Sequence, residues 1–245
     1  MPILVNPRKR PVQSRSKETC EAILAAAARI LEERGLEAAN TNAIAELAGV
    51  GVGSLYQYFP GKEAIFAELI RREERWVVEG LEGLVEGTAG RPLEERLRLL
   101  VRVGVEQQLT HPRLARLLDS IEATLPEDET LRALERRILD LIRRVLRDHA
   151  DEVEREPSRT TARDVLAMVK GMVDAAGFAG ETRPGPLEKR VFLAVVGYLR
   201  QPEPRRRTAA KTRERREEPT NAAAKLDGGR EARAEEVGAD PDLGS

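Results

Sequence analysis

The fold of this chain is decided by the stretch TNAIAELAGVGVGSLYQYFPGK, residues 41–62. Its apolar side chains recur at helical spacing in two short runs, which are separated by Ala48-Gly49-Val50. Two helices joined by a short turn that contains glycine form a helix-turn-helix, and Gly49 can take the positive φ that such a turn requires. We therefore predict one short helix that starts at Thr41 and a second that ends before Pro60-Gly61.

The second of these helices begins with the small residues Gly51-Val52-Gly53-Ser54, so its backbone can approach another surface closely. The N-terminal end of a helix also favours phosphate, because its free N–H groups and its dipole carry positive charge there. Hydroxyl, amide and ammonium groups follow at Tyr56, Gln57, Tyr58 and Lys62. A local excess of cations lies upstream, at Arg8, Lys9, Arg10, Arg15 and Lys17. Together these features predict a surface that binds double-stranded DNA.

The longer stretch GLEAANTNAIAELAGVGVGSLYQYFPGKEAIFAELI closely resembles the DNA-binding domain of the TetR/AcrR family of bacterial transcription regulators. The resemblance rests on IAELAGV, on Gly53-Ser54-Leu55-Tyr56-Gln57-Tyr58-Phe59 and on Lys62-Glu63, in that order and spacing, and it covers about residues 16–68. It implies a ligand-responsive, dimeric regulator. We expect a repressor that a small molecule releases from a pseudo-palindromic operator, with the second helix of the motif in the major groove.

The resemblance also implies roles for single residues. Thr41 and Lys62 match positions that contact phosphate, and Asn42 matches one that reads a base, where its amide could pair with adenine. The aromatic side chains of Tyr56 and Tyr58 match positions that contact phosphate or bases. The full set of predicted DNA contacts is Arg8, Lys9, Arg10, Arg15, Thr41, Asn42, Val52, Gly53, Ser54, Tyr56, Gln57, Tyr58 and Lys62.

Three residues depart from the family pattern. Ala43 stands where a cation is common, Gly51 where a serine often caps the helix, and Val52 offers no hydrogen bond to a base. These departures lower the expected affinity for DNA and leave more of the phosphate contacts to the basic arm. They also leave open an alternative, in which the chain is a helical protein that binds a small molecule or a protein partner and whose role at DNA is lost or secondary.

The rest of the chain predicts one helix after another. Between residues 16 and 200 apolar and charged positions alternate at helical spacing, and no alternating run bounded by hairpin turns indicates a strand. We predict an all-α fold of about nine helices, in which a three-helix helix-turn-helix domain precedes a helical domain for ligand binding and dimerisation. The predicted segments are a flexible basic arm at 1–15, the DNA-binding domain at 16–62, the ligand-binding and dimerisation domain at 63–200 and a disordered charged tail at 201–245.

The resemblance implies that the larger part of the chain binds its effector among the central helices and forms a homodimer through the last two. The fourth helix would join the two parts and transmit the effect of ligand binding to the DNA-binding domain. The candidate pocket residues are Trp76, His111, Leu118, Glu122, Met168 and Met172. The candidate dimer-interface residues are Val169, Val173, Ala176, Phe192, Val195, Val196 and Leu199.

Composition excludes several other classes. A net charge of −1 over 245 residues is not that of a uniformly basic packaging protein, so DNA contact must come from a local patch. With Cys20 as the single cysteine and only His111 and His149 as imidazoles, we predict no disulfide, metal or cofactor site. The sequence shows no nucleophile–base set and no phosphate loop, so it does not predict an enzyme. No signal-peptide pattern or apolar run of ~18 residues occurs, so we expect a soluble protein of the bacterial cytoplasm without a membrane partner, nucleoid-associated through its operator.

Overall fold

The computed structural model describes residues 5–7 and 14–202, apart from the side chains of Ser14 and Arg15. All regular structure in this part of the chain is helical, as the sequence predicts. The α-helices are α1 Ser14–Arg34, α2 Thr41–Leu47, α3 Val52–Tyr58, α4 Lys62–Gly87, α5 Leu93–Thr110, α6 Pro112–Glu122, α7 Glu129–Asp148, α8 Arg159–Phe178 and α9 Pro184–Leu199, and a short 3-10 helix covers Leu36–Ala38.

The first three helices pack around the N-terminal half of α4. One apolar stripe of α1 is fully buried at Ile23, Ile30 and Leu31, and it meets Ile44 of α2 and Leu55 of α3 in a shared core. Residues at these spacings lie on one face of each helix, which explains why all three helices point that face inward. Helix α6, which follows later in the chain, also contributes buried side chains to this core.

Helix α4 belongs to two cores at once. Its first half, residues 64–70, packs with α1, α3 and α6, whereas its second half buries Val78, Leu81 and Val85 against α5, α7, α8 and α9. A single helix of 26 residues therefore runs from the helix-turn-helix into the larger helical part. No helix in the described part of the chain is long and apolar enough to cross a membrane.

The residues predicted to form a dimer interface lie inside this second part. Val169 is half-buried, and the other six are packed within the chain itself. The buried six are Val173, Ala176, Phe192, Val195, Val196 and Leu199. Val173 and Ala176 pack in a core with α5, and the other four pack in a core that includes α5 and α7, so their part in a dimer stays a prediction. Periodicity identifies the apolar stripe of a helix but not what covers it.

Two predicted segments fall largely outside the described residues. Of the charged tail at 201–245 only Gln201 and Pro202 are described. Of the basic arm, Arg8, Lys9 and Arg10 lie outside the described residues, and Arg15 is described only through its backbone in α1.

Candidate nucleic-acid interface

The start of α2 is fixed by Asn40. Its side-chain Oδ1 accepts hydrogen bonds from the backbone N–H groups of Asn42 at 3.1 Å and Ala43 at 3.0 Å. Asparagine is a preferred residue at this capping position because it satisfies N–H groups that lack a partner within the helix. The Asn42 side chain is exposed on the first turn of the helix. Sequence reasoning missed Asn40, although an asparagine just before an apolar helical run is a recognised start signal.

The turn between α2 and α3 has the geometry that Gly49 was predicted to supply. Gly49 has a φ of +68°, its N–H donates to the Glu46 carbonyl at 3.1 Å, and the Val50 N–H donates to the Ala45 carbonyl at 3.0 Å. This pair of bonds is the Schellman motif that ends many helices. The turn therefore closes α2 abruptly and sets the angle at which α3 leaves it.

We predict that Gly49→Ala destabilises the head, which is the N-terminal part formed by α1, α2, α3 and the first half of α4. A residue with a Cβ is strained at this φ, so the free energy of unfolding should fall by about 1–2 kcal/mol, as urea denaturation would measure. The control is Gly53→Ala, since Gly53 lies inside α3 without a positive φ and a Cβ there would have no described atom within 4 Å. Equal losses in the two variants would show that the left-handed turn is not what Gly49 provides.

Helix α3 turns one side to the core and the other to the surface. Leu55 is fully buried beside Phe59, while Gly51, Val52, Gly53 and the polar Ser54, Tyr56 and Gln57 are exposed. A Cβ placed on Gly53 would have no described atom within 4 Å. The helix thus presents a thin, uncrowded edge whose backbone can approach a ligand surface as closely as its Cα atoms allow.

The two helices of the motif are also joined on their outer side. The Thr41 and Tyr56 hydroxyls lie 3.2 Å apart, within hydrogen-bonding distance. Tyr56 remains 40% exposed, so its ring lies along the surface. Tyr58 and Lys62 are half-buried near the end of α3 and at the start of α4. The structure therefore brings eight of the predicted contacts to one region of the head, the α2–α3 surface, which comprises Thr41, Asn42, Val52, Gly53, Ser54, Tyr56, Gln57 and Tyr58.

A buried ion pair ties the head to the larger helical part and to the start of the chain. Arg71 of α4 is 4% exposed, and its Nε donates to Asp128 Oδ2 at 2.9 Å. Its Nη2 also donates to Asn6 Oδ1 at 2.9 Å and to the Val5 carbonyl at 3.2 Å. Asp128 in turn caps α7 by accepting from the Thr130 and Leu131 N–H groups. The segment just before the cations of the basic arm is therefore anchored where α4 meets α7.

The larger part holds a cavity of about 350 Å³, the large cavity, between α4, α5, α6, α7 and α8. Of the six predicted pocket residues, Glu122 lines it. Trp76 is 48% exposed, His111 lies at the surface 3.2 Å from Glu32, and Leu118 is buried in the core of the head. The two methionines, Met168 and Met172, are half-buried against the cores of the larger part and also lie outside the cavity lining.

Glu122 is the only charged lining residue that was proposed from the sequence, and the other charged residues of the cavity lining were missed. Glu74, Lys170 and Asp174 approach it from α4 and α8. In sequence they look like ordinary charged positions of amphipathic helices. No sequence signal distinguishes a charge on a solvated face from one that faces an internal space between helices.

Both parts of the chain match family models. Residues 23–69 match the model described as bacterial regulatory proteins, tetR family, and residues 92–199 match the model described as tetracyclin repressor-like, C-terminal domain. The two matches together cover more than half of the chain.

Individual proteins are similar over shorter stretches. The HTH-type transcriptional repressor KstR2 of Mycobacterium tuberculosis is 40% identical over 72 residues, 29% of this chain and 36% of the relative. The HTH-type transcriptional regulator EthR of the same species is 32% identical over 106 residues, 43% of this chain and 49% of the relative. The chain thus matches about a third to a half of the length of these curated relatives.

Solved structures share the fold over most of the chain. The fatty acid degradation regulator FadR from Bacillus halodurans has a TM-score of 0.60 at 20% identity, and the match covers 79% of this chain and 99% of that one. A protein with unknown function from Rhodococcus sp. RHA1 has a TM-score of 0.62 at 18% identity, over 75% and 96% of the two chains. At this level of identity the likeness concerns the fold alone.

Proposed function

Since this chain belongs to the TetR family of bacterial transcriptional regulators, which bind DNA and are not enzymes, we propose that it is a homodimeric repressor that a small molecule releases from a pseudo-palindromic operator. The observation that carries this proposal is the outward edge of α3. Leu55 anchors the helix in the core while Val52, Gly53 and Ser54 stand clear of it. That edge is narrow enough for the major groove.

The α2–α3 surface supplies the contacts to DNA. Exposed Asn42 and Gln57 carry amides that can pair with base edges, and the Thr41 and Tyr56 hydroxyls can donate to phosphate. Lys62 and the cations of the arm at 1–15 add phosphate contacts. Residues 16–62 act as the DNA-binding domain and residues 63–200 as the domain for effector binding and dimerisation.

Dimerisation uses the outer faces of α8 and α9. Phe178 is 60% exposed and Leu193 is 56% exposed, and both are large apolar side chains that water would otherwise surround. Small exposed residues accompany them at helical spacing on α8, where Ala167, Gly171 and Ala175 allow close helix approach. Two chains joined on this face would form a twofold dimer with two α3 helices, which matches operator half-sites ~34–36 Å apart.

Helix α4 links the effector to the operator. Lys62 begins it beside the DNA-binding surface, and Glu74 and Val77 lie on the wall of the large cavity. An effector that favours a position of α4 other than the DNA-bound one lowers operator affinity, and DNA lowers effector affinity by the same factor. Such coupling is typically ~1–3 kcal/mol, enough to empty an operator of moderate affinity.

The function is tested by selecting binding sites from random duplexes with the full chain. We expect a twofold-symmetric motif with half-sites about one helical turn apart, bound by a dimer in sedimentation analysis. Binding to the selected site should weaken steeply as salt rises, because the contacts to phosphate release counterions. The proposal would be contradicted if no symmetric motif is selected, or if the affinity is unchanged between about 50 and 200 mM salt. Either result would favour the alternative of a helical protein that binds only small molecules or protein partners.

A further inference from the structure

The large cavity is apolar along one wall and continues into a second space. Val77, Gly104, Ile138, Leu166 and Val169 line it, and the same five residues also line an adjoining small cavity of about 60 Å³. The remaining lining of the small cavity is entirely aliphatic. The two spaces together can hold an elongated ligand with an apolar body, and the large one alone lies within the ~300–1,000 Å³ range of small-molecule sites.

The large cavity is also lined by acidic side chains. Glu74 of α4, Glu122 of α6 and Asp174 of α8 line it, and Asp119 of α6 lies beside them, close enough to feel the charge of Asp174. We call these four carboxylates the acidic cluster. One ammonium group lies among them, that of Lys170, whose Nζ is 3.5 Å from Glu74 Oε1. The cluster therefore keeps a surplus of negative charge.

The charges of the cluster destabilise one another. Burial, together with the charge of Asp174, raises the pKa of Asp119 to about 6. Burial likewise raises the pKa values of Glu122 and Asp174. Burial would lower the pKa of Lys170, but Glu74, Glu122, Asp174 and Asp119 raise it instead. That the carboxylates outweigh burial at Lys170 indicates surroundings that favour positive charge.

Unpaired polar atoms border the same cluster. Asp119 Oδ2 is buried and has no hydrogen-bond partner among the described residues. Gln108 of α5 is fully buried, and its amide lies near enough to Asp119 to lower the pKa of that carboxyl. Even so, neither Oε1 nor Nε2 of Gln108 makes a hydrogen bond of normal geometry within the described part. Buried polar atoms are nearly always paired in proteins, so this end of the cluster lacks a partner.

We propose that the effector is an amphipathic organic cation, with an ammonium head among Glu74, Glu122 and Asp174 and an apolar body along the shared wall of the two cavities. The inference rests on the proposed function and names the chemical class of its effector. An anion is disfavoured, because both cations that line the large cavity are already paired, Lys170 with Glu74 and Arg132 with Glu127, and the remaining carboxylates would repel it. A bare metal ion is disfavoured as well, because in the described part no three His, Cys, Asp or Glu side chains converge closely enough to ligate one.

The test compares three eight-carbon probes that share one tail and differ in the head group: octyltrimethylammonium, 1-octanol and octanesulfonate. Isothermal titration of the full chain should show the ammonium binding about tenfold or more tightly than the alcohol, and the sulfonate more weakly than both. Ammonium binding that is no tighter than that of the alcohol, or weaker than a Kd of about 1 mM, would overturn the proposal.

Three variants separate charge recognition from general damage. Glu122→Gln and Asp174→Asn should each weaken ammonium binding about tenfold and leave octanol binding unchanged. Lys170→Met should strengthen ammonium binding, which a merely disturbed fold would not do. The matched control is Glu79→Gln, an exposed carboxyl of α4 that does not line either cavity and should change nothing. Equal effects of Glu79→Gln and Glu122→Gln, or weaker binding in Lys170→Met, would contradict the assignment.

The ammonium affinity should also depend on pH. Asp119 faces Asp174 and Lys170 of α8, Glu74 of α4 and Gln108 of α5, and its pKa is about 6. Affinity for the cation should therefore rise from about pH 5 to about pH 7. In operator assays the same cation should release the protein from its selected site. Release by octanol or octanesulfonate in its place would overturn this inference and leave the proposed function standing, whereas the absence of any operator would count against the function itself.

Discussion

Gly53→Glu should abolish operator binding while leaving the fold intact. The position lies on the exposed edge of α3, and a Cβ there has no described atom within 4 Å, so the side chain fits without a clash. Glutamate is also a better helix former than glycine, by about 0.5–1 kcal/mol. If this edge enters the groove, however, the carboxylate faces the phosphates, and like charges forced together cost several kcal/mol. We expect affinity to fall about 100-fold or more, measured by fluorescence anisotropy on the selected site.

The matched control is Gly83→Glu in α4. It makes the same chemical change in a longer helix, again with no described atom within 4 Å of the new Cβ, and it adds the same charge to the chain. Its operator affinity should stay within about twofold of the parent, because it lies far along α4 from the α2–α3 surface. Equal binding by the parent and Gly53→Glu, with both folded by circular dichroism, would mean that α3 does not contact DNA through this edge.

The helix-turn-helix was predictable because its determinants are local. The positive φ of Gly49, the inward side of Leu55 and the exposed edge at Gly53 all follow from residue type and spacing within residues 41–62. Gly35, directly after α1, likewise has a positive φ of +85°. Turns and caps depend on neighbours a few residues away, which a sequence displays directly.

Which residues line the large cavity, and which apolar residues of α9 are exposed, was not predictable in the same way. Val195 and Phe192 are as apolar as an interface residue should be, yet they are buried against their own chain, while Leu193 between them is exposed. Glu122 lines the large cavity and Leu118, one turn earlier on α6, does not. These outcomes depend on how α4 to α9 rotate against one another, and that is set by contacts between residues far apart in sequence.

Arg71→Ala should strongly destabilise the protein. It removes one partner of an ion pair in which both side chains are nearly inaccessible, 4% for Arg71 and 7% for Asp128. Removing one member leaves the other charge buried without compensation, which typically costs about 3–5 kcal/mol. The variant also releases Asn6 and Val5, so the basic arm loses its attachment to α4. Urea denaturation should show the loss directly.

The neighbouring Arg72→Ala is the control. Arg72 pairs with Glu21, whose side chain is 59% exposed, and exposed pairs contribute only about 0–1 kcal/mol. A loss of similar size in the two variants would show that burial of the Arg71–Asp128 pair adds nothing beyond a surface contact.

The pH dependence of the parent and Arg71→Ala provides a separate check with a definite sign. Burial alone would raise the pKa of Asp128, but hydrogen bonding and charge from Arg71 lower it below its usual value of 3.8. The stabilisation by Asp128 in the parent is therefore present above about pH 4 and is lost as the pH falls through the lowered pKa. In Arg71→Ala the lowering by that arginine is lost, so the pKa of Asp128 lies higher than in the parent and protonation relieves the buried charge more readily. The difference in the free energy of unfolding between parent and variant, the stability gap, should consequently narrow as the pH falls. A gap that widens toward low pH would mean that Asp128 is not the charge that Arg71 compensates.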